Sequence, residues 1–285
     1  MAIAGLVFQK LLVLFLLMLA GLFLAQRQIL TKEVTLQLSK LLTRFVAPSL
    51  FISSFIYQAF TWKKMILLFS MIGAAFFLLI TRIVIVSFLL PKERATDKYA
   101  VLFANVGFMG TPLAFAVGGK EAVFFISGFV VANQIMQWTY GLYLIAQDKT
   151  VINWRSILVN PAMIATVIGL FLFIQPFKLP LVARDAIDAF ADLNTPLSTI
   201  VLGSYFYKVK FKEVFLYWPA YYTAFLRLFV TALISILTIW LLPIHSDPVK
   251  LALSIAVISP AALNTALLSQ VYGGEYEYGS RLVLL

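Results

Sequence analysis

Apolar runs long enough to cross a lipid bilayer alternate with short polar stretches along this whole chain. A helix needs roughly 20 apolar residues to span the hydrocarbon core. Segments near that length lie at about Ile3–Ala25, Val34–Ile56, Met65–Leu90, Tyr99–Val117, Ala122–Ala146, Ile157–Ile174, Ala186–Tyr207, Val214–Leu242 and Leu251–Val271. A tenth segment opens at Tyr276 and is too short to cross by Leu285. The pattern predicts an all-α polytopic membrane protein whose tenth helix is truncated here, with the reading frame continuing into further apolar residues.

Two of these spans are interrupted by polar and helix-breaking residues at mid-depth. The fourth contains Asn105, Gly107, Gly110, Thr111 and Pro112; the ninth contains Ser259, Pro260 and Asn264. Proline removes a backbone donor and disrupts the helical ladder. In lipid such a break is tolerated only where protein or a water-filled cavity satisfies the backbone. Thr111–Pro112 and Ser259–Pro260 both read as a cap followed by a first-turn proline. Each span is therefore expected to be two half-helices, the second beginning at Pro112 or Pro260. Paired interrupted spans in two halves of a chain point to a transport site.

The same features recur in order. Pro48, Arg82, the broken fourth span and Gly118–Gly119 correspond to Pro196, Arg227, the broken ninth span and Gly273–Gly274. Residues 1–146 and 157–285 thus read as two repeats joined by a polar linker. With five helices each, an odd number, the second must enter the membrane inverted.

Composition narrows the class. Of 285 residues 62% are hydrophobic and 12% charged, and the mean hydropathy is +0.97. The net charge of +10 flanks the spans and reads as topology and contact with lipid headgroups, not nucleic acid. Cysteine is absent and His245 is the single histidine, so no metal site or cofactor is expected. No nucleophile–base pair or phosphate loop is visible, which argues against an enzyme. Arg27, Lys32, Lys92, Arg94, Lys98, Lys149, Arg155, Lys208, Lys210 and Lys212 outnumber Lys63, Lys64, Lys120, Lys178, Arg184 and Lys250 in the opposite loops. That bias puts the first set in the cytoplasm and the N-terminus outside a cell membrane.

The string from Asn105 to Leu113 is similar to the fourth-helix motif of the auxin efflux carrier family. Asn160–Pro161, Pro196 with Leu202–Gly203, and Ser259–Pro260 through Asn264 to Gly274 resemble its later landmarks. The short central linker resembles the bacterial branch, which includes malate and malonate permeases. Many relatives carry two adjacent prolines in the ninth helix, where this chain has Ser259–Pro260. The resemblance implies ten helices and crossed fourth and ninth spans. It implies a scaffold of helices 1, 2, 6 and 7, a moving domain of helices 3–5 and 8–10, and a homodimer through the scaffold.

The expected substrate-binding set is Asn105, Gly110, Thr111, Pro112, Ser259, Pro260 and Asn264, with Arg82, Arg227, Gln134 and Gln137 as auxiliary candidates. Asn105 and Asn264 contact ligand or hydrogen-bond a neighbouring helix. An arginine at a helix centre costs about 2.5–3.5 kcal/mol on insertion scales, so snorkelling is the favoured reading of Arg82 and Arg227. Asp185, Asp188 and Asp192 are expected to serve the N-terminus of the seventh helix. The functional expectation is a secondary carrier of small, malate-like organic anions, with the coupling ion, proton or sodium, not named by the sequence. The competing reading is a non-transporting sensor or interaction subunit that keeps the carrier fold.

Overall fold

The computed structural model describes residues 2–175, 179–208, 217–271 and 276–284. Among these residues the chain is helical, and its one β-bridge is isolated. The helices are α1 (Ala2–Gln26), α2 (Lys32–Leu41), α3 (Ala47–Ile56), α4 (Trp62–Leu89), α5 (Ala95–Leu102), α6 (Thr111–Met136), α7 (Leu142–Ala146) and α8 (Trp154–Leu158). They continue as α9 (Pro161–Ile174), α10 (Leu181–Asp192), α11 (Asn194–Tyr205), α12 (Trp218–Phe225), α13 (Thr231–Leu241), α14 (Asp247–Ile258), α15 (Asn264–Val271) and α16 (Tyr276–Leu284).

Helix starts follow local chemistry. Thr31 Oγ1 accepts from the Val34 amide at the head of α2, and Thr61 Oγ1 from the Lys64 amide at the head of α4. Asn160 caps α9 by accepting from the Ala162 amide at 3.0 Å, with Pro161 in the first helical position. Prolines inside the spans break less than the sequence suggests. Pro48 and Pro112 each follow a widened π turn, at Leu42–Val46 and Val106–Gly110. A proline ring clashes with the carbonyl four residues back. Each π turn contains that residue, and its i→i+5 spacing makes room for the ring. Helices therefore continue through both prolines.

Among the described residues three stretches are long and apolar enough to cross a membrane: Trp62–Leu89, Val106–Ala146 and Trp218–Leu241. The second is two helices, because Gly119 at φ 60° and ψ −155° turns the chain inside α6. That positive φ favours glycine and sits where the Gly118–Gly119 exit was expected. Its counterpart Gly273–Gly274 and the lysines at 210 and 212 lie outside the described residues.

α1 packs along α11, while α3 packs on α9 and α10. Small residues allow the first contact: a methyl at Gly21 would overlap the Ile200 carbonyl, and one at Gly203 the Met18 carbonyl. A second group gathers α4, α6 and α14. α16 packs on α15, α5 and α12. Large apolar side chains such as Phe88 and Leu241 face outward and exposed, which suits lipid.

Candidate functional site

The two broken spans meet at the centre of the molecule. α5 ends at Leu102 and α14 at Ile258, and the extended segments that follow cross as an antiparallel bridge between Ala104 and Ala261. The Asn105 amide donates to the Pro260 carbonyl at 2.9 Å, and the Ala262 amide to the Phe103 carbonyl at 3.0 Å. Each break thus satisfies backbone groups of the other, as a dry membrane interior demands.

The breaks lie elsewhere than the prolines implied. In the fourth span the second half-helix begins at Val106, with Asn105 as its cap; Asn105 Oδ1 accepts from the Phe108 amide at 3.4 Å. Thr111 is not a cap: its hydroxyl donates to the Val106 carbonyl at 3.0 Å, within a continuous helix. In the ninth span Ser259 ends α14, donating to the Ile255 carbonyl at 2.8 Å. Pro260 is extended, and the second half-helix starts at Asn264. In the fourth span the reason is the π turn, which absorbs Pro112; in the ninth, Pro260 stays inside the break, where its carbonyl accepts from the Asn105 amide across the crossing.

A cavity of about 220 Å³ opens beside the crossing. From the crossing it is lined by Ala104–Phe108 and Ala262–Asn264, and from the fifth span by Val130, Asn133, Gln134, Gln137 and Trp138. Facing them are Leu42, Thr43, Ala47 and Phe51, the head of α9 at Asn160–Ala162, and Asn194 and Ser198 of α11. Among the described residues no acidic or basic side chain lines it. The first-turn amides of Val106 and Gly107 have no acceptor within their own helix, and both residues line the wall.

Of the expected site residues, the fold brings Asn105, Asn264, Gln134 and Gln137 to this cavity. Gly110, Thr111, Pro112, Ser259 and Pro260 stand behind it. Gly110 is there for close approach, since a Cβ would sit 2.9 Å from Ser259 Oγ. The amides partly bond one another. Asn264 Nδ2 donates to Gln137 Oε1 at 2.8 Å, which also accepts from the Tyr99 hydroxyl at 3.1 Å. Asn133 Nδ2 holds the Ala104 carbonyl at 3.2 Å. Four polar atoms of the lining are buried without a protein partner: Asn133 Oδ1, Gln134 Oε1, Trp138 Nε1 and Asn194 Nδ2. Two are donors and two acceptors, a set that a polar ligand or water can complete.

Asn160, Asn194, Ser198 and Trp138 were outside the expected set. Asn160 and Asn194 had a signal in the sequence: each is an amide one or two residues ahead of a proline, Pro161 or Pro196.

Arg82 and Arg227 do not snorkel. Both are buried, at 1% and 2% exposure. Arg82 donates from Nε to Ser235 Oγ at 2.8 Å and from Nη2 to the Val257 carbonyl at 2.9 Å. Arg227 donates to the Val101 carbonyl at 3.0 Å and the Ser259 carbonyl at 2.5 Å. Free carbonyls at the ends of α5 and α14 attract them, because a helix C-terminus carries unpaired acceptors and partial negative charge. Neither arginine lines the cavity. Asp188 likewise does not serve a helix N-terminus: it accepts from Ser53 and Tyr57 at 2.5 Å and pairs with Lys120 at 3.0 Å.

No curated protein sequence matches the chain. A family model described as membrane transport protein matches it over residues 6–153 and 149–285. With crossed breaks, a cavity beside them and a match across the chain, the protein belongs to the membrane transport protein family, that of the auxin efflux carriers its motifs resemble.

Proposed function

We propose that this membrane transporter is a secondary carrier of small organic anions that works by elevator-type alternating access. The observation that carries the reading is the cavity at the crossing. At about 220 Å³ it is smaller than the ~300–1,000 Å³ typical of drug-sized ligand sites, which suits a mono- or dicarboxylate of malate-like size. Half-helix N-termini favour anions without a buried lysine, and the unpartnered amides and indole can orient a carboxylate.

The cavity also lies between two groups of helices. Its lining from α3, α9 and α11 belongs to the expected scaffold, and its crossing and fifth-span lining to the expected moving domain. Contacts exchange between the halves: the first span packs on the seventh and the second on the sixth. Arg82 of the first half bonds the ninth span, and Arg227 of the second bonds the fourth. Such reciprocity supports an inverted repeat. Coupling to a proton or sodium ion, a homodimer through the scaffold, and a cell-membrane orientation with the N-terminus outside complete the proposal.

The test is uptake of labelled mono- and dicarboxylates by proteoliposomes containing the whole chain. Saturable uptake of at least one carboxylate, lost on Asn264→Ala, is expected. Saturable uptake of cations alone, or none of any carboxylate, contradicts it.

A further inference from the structure

We propose that Arg82 and Arg227 set the charge of the ligand from behind the crossing, as positioning residues whose uncompensated charge an anion completes. The proposal rests on the reading of the cavity as the transport site.

Arg227 sits where two half-helices end, and Arg82 sits at one of those same two ends. Arg227 bonds Val101, in the last turn of α5, and Ser259, the residue that ends α14. Arg82 bonds Val257, in the last turn of α14. A helix C-terminus carries about half a negative charge. The two termini therefore offset about one of the two positive charges. Neither ion pair among the described residues, Arg94–Asp97 and Lys120–Asp188, involves them. Ser235, the other partner of Arg82, is neutral. Arg82 Nη1 and Arg227 Nε are buried without any partner.

The excess acts on the cavity along a short path. Arg227 holds the Ser259 carbonyl, and the next carbonyl, of Pro260, accepts from the amide of Asn105 in the cavity wall. The half-helix start at Val106 adds about half a positive charge of its own. Nothing acidic among the described lining residues opposes it, and in a low-dielectric interior a charge is felt well beyond contact distance. The crossing is therefore electrostatically incomplete until an anion enters.

The test uses three ligands of nearly one shape, succinate, its monoamide and its diamide, titrated calorimetrically against the purified whole chain. Wild type should bind in the order dianion, monoanion, neutral. Arg227→Met and Arg82→Met should each cut the dianion-to-diamide ratio by about tenfold or more. Arg227→Lys should keep the ratio while lowering thermal stability, since an ammonium lacks the planar fork that meets two carbonyls. Ser235→Asp keeps the arginine and neutralises it in place, so it should lower the ratio as Arg82→Met does, even where a methionine variant fails to fold. A purely structural role would weaken all three ligands alike; an unchanged ratio in Ser235→Asp and in the folded methionine variants overturns the proposal alone. Failure of wild type to bind any of the three overturns the carboxylate-site reading, and the proposal with it.

Discussion

The two ends of the cavity-bearing helices are built from opposite chemistry. At one end, Ala47 and Phe51 of α3 and Pro161 of α9 border the cavity, among amides that lack partners. Along the same helices, Phe55 and Phe173 close on Phe124 of α6, with ring centroids 4.8 Å apart for Phe55–Phe124 and 5.2 Å for Phe124–Phe173. From Pro161 to Phe173 is about 18 Å of helix. Beyond the rings, Lys120 and Asp188 join α6 to α10, and the Lys120 ammonium lies 3.5 Å from the centroid of the Tyr57 ring. One end is polar and unfinished, the other apolar, interlocked and fastened by an ion pair. Packing at the sealed end supplies stability; incomplete bonding at the cavity end leaves chemistry for a ligand.

The largest expected effect separates the two ends directly. Phe124→Ala opens a void among Phe55, Phe125 and Phe173 and should cost about 3–5 kcal/mol of stability. Gln134→Leu, in the cavity wall, should leave the thermal midpoint in detergent nearly unchanged. Equal losses would erase the distinction between the ends.

Next comes Asn264→Ala. It removes the amide that bonds Gln137 and should weaken binding of a transported carboxylate by about 1.5–3 kcal/mol, the value of a hydrogen bond to a charged group. Trp138→Phe removes a buried donor that has no protein partner. Stability should fall far less than in Phe124→Ala, while KM for uptake rises.

The smallest effect is at the latch. Lys120→Met removes a partly exposed ion pair, worth about 0.2–1 kcal/mol. Alkylation of a cysteine placed at buried Ala122, beside it, should speed up modestly against the same cysteine with Lys120 present. An unchanged rate would mean that the ion pair does not hold this end shut.

Much of this arrangement was legible in the sequence, for identifiable reasons. Among the described residues, Trp62–Leu89 and Trp218–Leu241 have the length that bilayer thickness demands, while the sixth span is a shorter helix, Pro161–Ile174; Gly119 marks a turn that needs positive φ. Asn105 and Asn264 stand out as lone amides at mid-depth, and both reach the cavity. The break points were misplaced because a proline signals a missing donor, not the way the helix repairs it; π turns repair it at Pro48 and Pro112. The partners of Arg82, Arg227 and Asp188 are more than a hundred residues distant, apart from the Arg227–Ser259 and Asp188–Lys120 bonds. Such pairings have no local signature. Asn160 and Asn194 could have been found by extending the amide-before-proline pattern to the sixth and seventh spans.

The central claim is that ligand occupies the cavity beside the crossing. Because the chain has no cysteine, a single cysteine at Thr43, in the cavity wall and exposed, can be alkylated without background in proteoliposomes. A second, at Thr150 in the exposed polar linker, serves as control. A transported carboxylate is predicted to slow alkylation at position 43 in proportion to its occupancy and to leave position 150 unaffected. Equal rates at position 43 with and without saturating carboxylate would contradict it.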